Sequence, residues 1–389
     1  MDFAACTAAN STKVLAAEAR GDAVVEAEPM RYVLELTADC NLHCFMCSCE
    51  MLRDKARDVG IKRFGLPVEV YRKMAERFFP TAHQVNPTVV GEPFVLAYFD
   101  ELVADCERYH VKLDIHTNGM LMRGPRLRRL LPNAAEIRVS FDGGTKPVFD
   151  HIRTGAEFEQ VVQNLAELAA LRRELGLRGI VRTSFNVTIL YENVDELARI
   201  VEIAAEHDID VVRMCYMIVF GEDLRSSSPF RDPARTNRAL RLAQRRGAEL
   251  GIQVDLPAPL PVPTQDAELP PPLPLPRLTD KRDPAAYEGP RWMPDGVPAG
   301  WGGKYYCRYP WREAFINQGG DVAPCCGQGR PIVGNAFSRD FAEIWNGPEY
   351  QRLRRGLWDG DLTDYCRDCP FLQANGAMPY RAETHERSV

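Results

Sequence analysis

Twelve cysteines stand in a chain of 389 residues, and their spacing is the first feature that could do chemistry. Cys40, Cys44, Cys47 and Cys49 crowd one short stretch near the start. Cys307, Cys325, Cys366 and Cys369 lie in the C-terminal part, with Cys326 beside the second of them. Thiolates are soft ligands that suit zinc or iron–sulfur clusters. A structural zinc ion wants four ligands in a closed tetrahedron, and Cys49 or His43 would complete one around the first group. Cys40, Cys44 and Cys47 alone form a three-thiolate loop, which on an iron–sulfur cubane leaves one iron open to a substrate. Open coordination is what chemistry at a metal requires. The second group has four candidate ligands, enough to close either a zinc site or a single cluster.

The elements that must position these groups are legible in the hydrophobic pattern. Arg31–Thr37 reads as a strand, with the cysteine loop directly after it. Further strands are expected at Val85–Val90, Val111–His116, Glu136–Phe141, Ile180–Leu190 and Asp210–Val219. Helices are expected at Pro67–Phe79, Tyr98–Tyr109, Phe158–Leu175 and Val194–His207. In the first of these, Val68, Tyr71, Met74 and Phe78 recur at helical spacing. Strands separated by helices predict an α/β fold, a parallel sheet of repeated β–α units closed or partly closed as a barrel, here a partial (β/α)6 TIM-like barrel. In such folds the functional loops follow the C-terminal ends of the strands. Gly91–Glu92–Pro93, Thr117–Asn118, Ser140–Phe141–Asp142–Gly143 and the first cysteine loop all fall at such ends. Four segments follow: an Ala-rich loose extension over 1–29 with room for one series of helical turns, the barrel over 30–256, a linker over 257–300 and a small cysteine-bearing unit over 301–389. Thirteen of the 29 prolines lie between Pro257 and Pro298, which favours an extended conformation without a packed core.

The formal net charge is −6, against the basic excess of a nucleic-acid binder and without attraction to anionic membranes. No stretch approaches the ~18 apolar residues of a membrane span. No cationic region followed by an apolar one marks a secretory signal, so the expected location is the cytoplasm. Disulfides are rare there, and closely spaced cysteines mean metal.

Cys-x3-Cys-x2-Cys just after the first strand resembles the radical S-adenosylmethionine superfamily. The resemblance implies that Cys40, Cys44 and Cys47 hold a 4Fe-4S cluster and that Cys49 does not. It also implies S-adenosylmethionine as cosubstrate. The residue before the last of these cysteines is usually aromatic in the family and rests near the adenine; here it is Met46, with Phe45 one place earlier. Gly91–Glu92–Pro93 resembles the family's Gly-Gly-Glu-Pro loop, with Val90 replacing the first glycine. Glu92 or the backbone there would accept from the methionine ammonium, and Gly91 would allow close approach. Ser140 and Asp142 resemble a Ser-x-Asp-Gly element that would meet ribose hydroxyls or the ammonium. In the run Phe149–Asp150–His151–Ile152–Arg153, Arg153 could grip the methionine carboxylate or simply cap a helix. Thr117, Asn118 and Asn186 would line the cosubstrate pocket. Asp114 and His116 share one face of the third strand, facing either substrate or core.

The order Cys307, Gly320-x4-Cys325, Gly334–Asn335, Trp345–Asn346, Cys366-x2-Cys369 resembles the cluster-binding extension of this superfamily, the SPASM or twitch domain. The full-length form has seven cysteines; this chain's set resembles the shorter version, implying one auxiliary 4Fe-4S cluster held by Cys307, Cys325, Cys366 and Cys369, with Cys326 as a substitute for Cys325. The implied reaction is reductive cleavage of S-adenosylmethionine to a 5′-deoxyadenosyl radical, which removes a hydrogen atom from a substrate carbon. The electron would come from a donor such as flavodoxin or ferredoxin. Loss of a further electron to the auxiliary cluster would give oxidation, for example alcohol to ketone. Return of hydrogen from a cysteine would give epimerisation, with Cys215 on the sixth strand as donor or core filler. Arg213, on the same face, would steer an anionic or hydroxylated substrate or act as a salt-bridged strut. Peptide-modifying members often carry a long leader-binding domain, and the 29 residues before the first strand are too short for one. The expectation is therefore a small polar, carbohydrate-like substrate of the aminocyclitol dehydrogenase type in a biosynthetic pathway. Maturation of a ribosomally made peptide and a non-enzymatic zinc-binding protein are the alternatives.

Overall fold

The structure, a computed structural model, describes residues 2–48, 50, 53, 65–262, 301–325, 330–367, 369 and 372–374. Cys49, Cys326 and most of the proline-rich segment lie outside the described residues. The chain divides into two compact units that cut across the four segments expected from the sequence. One comprises Met1–Asp39, Arg63–Ile115 and Gly289–Arg381; the other comprises Cys40–Lys62, His116–Glu288 and Ala382–Val389.

In the first unit, Arg31–Leu34 (β1) pairs in parallel with Gln84–Asn86 (β2), which pairs in parallel with Lys112–Thr117 (β3) at its start. β1 ends three residues before the expected Thr37. β2 is confined to Gln84–Asn86 because Pro87 has no N–H to continue the ladder. On its other side β1 pairs in parallel with Glu313–Ile316, here named β9, and Arg31 stands directly opposite Glu313. Antiparallel strands Asp321–Ala323 (β10) and Gly334–Asn335 (β11) continue outward from β9. A short antiparallel pair, Tyr305–Tyr306 (β8) with Gln373–Ala374 (β12), stands apart from this sheet. The helix Val68–Phe78 buries Tyr71, Met74 and Phe78, as its periodicity predicts, and Phe78 packs on Tyr32 with ring centroids 4.8 Å apart.

The first 29 residues are not a loose extension. Phe3–Arg20 is an 18-residue helix, opened by Asp2, whose carboxylate accepts the Ala5 N–H at 3.1 Å. It closes on Gly21 in the left-handed conformation, where a Cβ would strike the Trp358 ring at 2.0 Å. The sequence hides this helix because its buried face is polar: Thr7, Asn10, Ser11 and Glu18 lie there with Val14 and Ala17. Hydrogen bonds replace the apolar stripe. Glu18 accepts from Arg312 Nε at 2.7 and 2.9 Å and from the Tyr306 hydroxyl at 3.0 Å. Trp311 Nε1 donates to the Asp22 carbonyl at 2.9 Å and Trp345 Nε1 to the Ala27 carbonyl at 3.0 Å. Asn346 exchanges two bonds with the Val25 backbone, at 2.8 and 3.0 Å.

In the second unit, Ala134–Ser140 (β4), Arg182–Ile189 (β5), Val211–Tyr216 (β6) and Gln253–Asp255 (β7) lie in parallel in that order. The helices Phe158–Glu174, Leu197–Glu206 and Pro233–Leu250 fall between them in the chain. β7 is a strand beyond the expected six; three residues give too short a pattern to read. Along β4, buried Ile137 and Val139 alternate with Arg138 and Ser140, which turn a half-buried polar face the other way.

Replacing Glu18 by Ala strands the buried Arg312 guanidinium. Removal of one member of such a pair costs about 3–5 kcal/mol. Urea denaturation followed by tryptophan fluorescence is expected to show that loss; an unchanged midpoint would mean that the N-terminal helix is not integral to this unit.

Candidate functional site

The second unit carries the first cysteine loop. The Cys47 N–H donates to the Cys44 carbonyl at 3.0 Å, and the His43 N–H to the Thr154 carbonyl at 2.9 Å, so the loop is pinned across its middle. Glu50 and Arg53 brace it from behind: they pair with each other, and Arg53 Nη2 donates to the Leu42 carbonyl at 3.2 Å. The imidazole Nδ1 of His43 lies 2.7 Å from Glu50 Oε1. Cys40 Sγ accepts the Leu42 N–H at 3.4 Å and the Asn118 side-chain amide at 3.6 Å. Asn118 also donates to Asn41 at 2.9 Å, so this residue supports the cysteine loop. Thr117 is buried and its hydroxyl accepts the Gly119 N–H at 3.1 Å. Met46 is buried, and Phe45 stands against the His151 ring at 5.4 Å.

Burial pushes the Cys44 thiol up to about 11; Cys47, Asp142 and Cys40 push the same way, and Arg153 opposes them. Cys44 therefore feels the other two thiols, and a metal cluster that ionises it would remove the penalty. Burial works against the Arg153 charge but is outweighed by Asp142 and by Cys44, so its pKa is raised. Arg153 and Asp142 form a buried ion pair, and Asp142 Oδ1 also accepts the Thr188 N–H at 2.6 Å. Burial raises the Asp142 pKa against the pull of both partners. Sequence reading aims both residues at the cosubstrate; the fold joins them to each other, with the guanidinium in the field of Cys44.

Ser140 and Asn186 face each other in register across β4 and β5, both half-buried. Asn186 stands opposite Arg213, and Thr188 opposite Cys215. Arg213 Nη1 donates to Glu136 Oε1 at 2.5 Å and to the Ser184 hydroxyl at 2.8 Å, while Arg138 holds Glu136 Oε2 at 2.9 Å. Arg213 is thus a strut in an ionic network on the polar face of the sheet. Cys215 presents surface to solvent, yet the protein around its sulfur, and then the Asp142 carboxylate, push the thiol up to about 11.

The first unit carries Gly91–Glu92–Pro93. The loop is pressed on the chain that leads to Cys40: the Glu92 N–H donates to the Asp39 carbonyl at 2.8 Å, and a Cβ on Gly91 would come within 2.4 Å of the Thr37 carbonyl oxygen. Glu92 is buried and caps the turn Pro93–Val95, accepting the Phe94 N–H at 3.2 Å. Asp114 is buried and accepts from Arg31 at 2.7 Å. Glu35 went unread in the sequence. Its Oε1 is buried with no hydrogen-bond partner among the described residues. Burial raises its pKa against Arg330 and the Val90 N–H. Continuing the alternation of β1 through Arg31 and Val33 would have found it.

The same unit brings the second cysteine group together. Burial pushes the Cys307 thiol well above its ordinary range; the Tyr309 N–H opposes this, and Cys325, Cys366 and Cys369 add to it. Cys307, Cys366 and Cys369 pack against an apolar cluster of Trp301, Tyr306, Trp311 and Leu357. A Cys307 thiol that feels Cys325, Cys366 and Cys369 beside an apolar cluster fits a closed cluster, as a Cys44 thiol beside Cys40, Cys47 and a cationic Arg153 fits an open one.

Comparison with known proteins agrees with this geometry. The profile of the Radical SAM superfamily matches residues 34–204, and that of the SPASM iron-sulfur cluster-binding domain matches residues 307–370. The chain is 24% identical to the mycofactocin maturase MftC of Mycolicibacterium smegmatis over 180 residues, which is 46% of this chain and 42% of that protein. It spans less than half the length of the curated relatives it matches. Streptococcus suis SuiB bound to S-adenosylmethionine superposes with a TM-score of 0.58 at 16% identity, covering 87% of this chain and 70% of that one. anSMEcpe with bound AdoMet and the Cp18Cys peptide gives a TM-score of 0.55 at 15% identity, covering 88% and 86%. The chain belongs to the radical S-adenosylmethionine superfamily, a TIM-like partial barrel of parallel strands followed by a SPASM iron–sulfur domain, with iron–sulfur clusters and S-adenosylmethionine as its cofactors.

Proposed function

We propose that this enzyme modifies a peptide, removing a hydrogen atom from a carbon of a ribosomally made precursor. The similarity to a mycofactocin maturase carries this reading, and SuiB, which has also been solved with its precursor peptide SuiA, supports it. The first cluster with S-adenosylmethionine supplies one-electron cleavage of a sulfonium and thereby a carbon radical strong enough to abstract hydrogen. Cys40, Cys44 and Cys47 hold that cluster, with Asn118 steadying Cys40 and the Asp142–Arg153 pair setting a cation beside Cys44. Arg153 offers the methionine carboxylate its guanidinium. Met46 gives the adenine an apolar wall, and Ser140, Asn186 and Thr117 offer hydroxyl and amide groups to the ribose. Cys307, Cys325, Cys366 and Cys369 would hold the auxiliary cluster, which would supply a route for an electron where the product is oxidised.

A small polar substrate, oxidised or epimerised, is the second reading. The four-cysteine set favours it, since that resembles the single-auxiliary-cluster type. Cys215 then faces the substrate as hydrogen donor, and Arg213 orders the wall below it.

Anaerobically reconstituted protein is expected to hold about eight irons per chain, and about four after Cys40, Cys44 and Cys47 are replaced by Ala or after Cys307 and Cys325 are. No iron in the wild-type chain, with zinc in its place, would exclude the radical reaction here. Turnover assays that follow 5′-deoxyadenosine with precursor peptides and with aminocyclitols decide the substrate: stimulation by peptides alone supports maturation, and stimulation by aminocyclitols alone reverses the order of the two readings. Cys215→Ala should leave 5′-deoxyadenosine formation in place. If the thiol returns hydrogen, it should abolish deuterium uptake from heavy water into product.

A further inference from the structure

Asp142 and Arg153 meet because the chain between them doubles back. Gly143 lies so close to the helix Lys146–Ile152 that a Cβ there would come within 2.5 Å of the Phe149 nitrogen. The Phe149 carbonyl in turn accepts the Arg153 N–H at 2.8 Å. A side chain at position 143 would push this helix, and Arg153 with it, away from Asp142. Asp142 is held from the other side by the end of β5. Its Oδ1 accepts the Thr188 N–H at 2.6 Å, and its carbonyl accepts from Asn193 Nδ2 at 2.8 Å. Asn193 is buried; it also donates to the Thr188 carbonyl at 2.8 Å and accepts the Leu190 N–H at 2.8 Å. The remaining carboxylate oxygen, Oδ2, pairs with Arg153 Nη2.

The two members of the pair differ in what they present. The Asp142 side chain is 0% exposed and that of Arg153 is 12% exposed. A carboxylate with no surface, and with both oxygens engaged by the protein, has nothing to offer a ribose or an ammonium. Arg153 keeps surface, and among the described residues only its Nη2 has a partner. A guanidinium carries its N–H donors in a rigid fork, so fixing one nitrogen aims the others. The same segment lies on the first cysteine loop. The Thr154 carbonyl accepts the His43 N–H at 2.9 Å, and a Cβ on Gly155 would stand 3.6 Å from Leu42 Cδ2. A guanidinium released by Asp142 would turn toward Cys44, whose charge it already feels.

We propose that Asp142 is a positioning residue and not a cosubstrate ligand: it holds the Arg153 guanidinium in the orientation that receives the methionine carboxylate and keeps it from turning to Cys44. The inference rests on the reading that Arg153 takes that carboxylate, and it is independent of the substrate. Thr188 and Asn193 serve the same end one step further back, since they fix Asp142.

The test uses full-length chains reconstituted without oxygen, with the first cluster kept oxidised so that no S-adenosylmethionine is cleaved. Dissociation constants are measured by equilibrium dialysis for S-adenosylmethionine and for its decarboxylated analogue, which lacks only the carboxylate in question. The wild type should prefer S-adenosylmethionine, and Arg153→Gln should erase the preference. Asp142→Asn keeps an oxygen for the Thr188 N–H but loses the charge. It should weaken S-adenosylmethionine about tenfold and leave the analogue's affinity unchanged. In the Arg153→Gln background the same change should have no further effect. Unchanged or tighter S-adenosylmethionine binding by Asp142→Asn overturns the proposal and leaves Arg153 as the receiver. Equal loss for both ligands also overturns it, since that is damage to the site at large. A preference that survives Arg153→Gln overturns the reading of Arg153 and the proposal with it. If Asp142→Asn takes up no iron, Asp142→Glu replaces it, which keeps the charge but moves it by one methylene. Loss of the preference at full iron content then upholds the proposal; a retained preference, or no iron again, overturns it.

Discussion

Arg31 binds two carboxylates from two neighbouring parts of one sheet, Asp114 of β3 and Glu313 of β9. Burial opposes its charge, and the two carboxylates outweigh that opposition and raise its pKa. The contact with Glu313 is also a register mark, since the two residues are direct partners in the β1–β9 ladder. A slip by one residue would turn the carboxylate to the other face of the sheet and leave Arg31 half matched inside it. Much else in this unit follows from that registration. β10 takes its place on β9 and runs on toward Cys325; β1 runs on through Thr37 toward Cys40. The Gly91 loop then rests on the Thr37–Asp39 backbone. One guanidinium thus fixes the strands from which both cysteine groups depart.

What the sequence made legible was whatever depends on short spacing. The first cysteine loop, the strand-end motifs and the ordered residues between Cys307 and Cys369 could all be read from neighbours in the chain. The helices with apolar stripes were equally plain; Tyr71, Met74 and Phe78 are buried as their spacing requires. The N-terminal helix was not, because its buried face is polar: Thr7 and Asn10 donate to the carbonyls of Ala82, Glu28 and Thr81, and Glu18 meets Arg312 from the far end of the sequence. The division of the barrel's first strands from the rest, and their grouping with the C-terminal cysteine domain, depended on the same distant pairing. Within the site, spacing identified Asp142 and Arg153 but not that they would hold each other. It identified Arg213 but not Glu136, the acid that fixes it.

The two cysteine groups pose a common electrostatic problem and meet it differently. Cys44 is buried near a carboxylate, Cys40 and Cys47 are half-buried, and a cation, Arg153, stands by Cys44 with that carboxylate as its own partner. Around Cys307 half-buried cysteines pack against an apolar cluster with aromatic walls. Charge near an exchangeable site has to tolerate a cosubstrate that arrives and leaves, so a neutralised ion pair suits it.

The parallel pairing of β1 with β9 has a consequence for the order in which the protein can be made. Arg31 and Glu313 are 282 positions apart. At about 5–20 residues per second, β1 waits on the order of tens of seconds for the second of its two neighbours to leave the ribosome. During that time one edge of β1 presents unpaired N–H and carbonyl groups, the kind of edge on which strands from other chains align. Glu18 and the carbonyls of Asp22, Val25 and Ala27 wait for Arg312, Trp311, Asn346 and Trp345 over the same interval. Assembly of this unit is therefore bound to a late arrival: Glu18 and β1 acquire permanent neighbours only after nearly 300 further residues have been made.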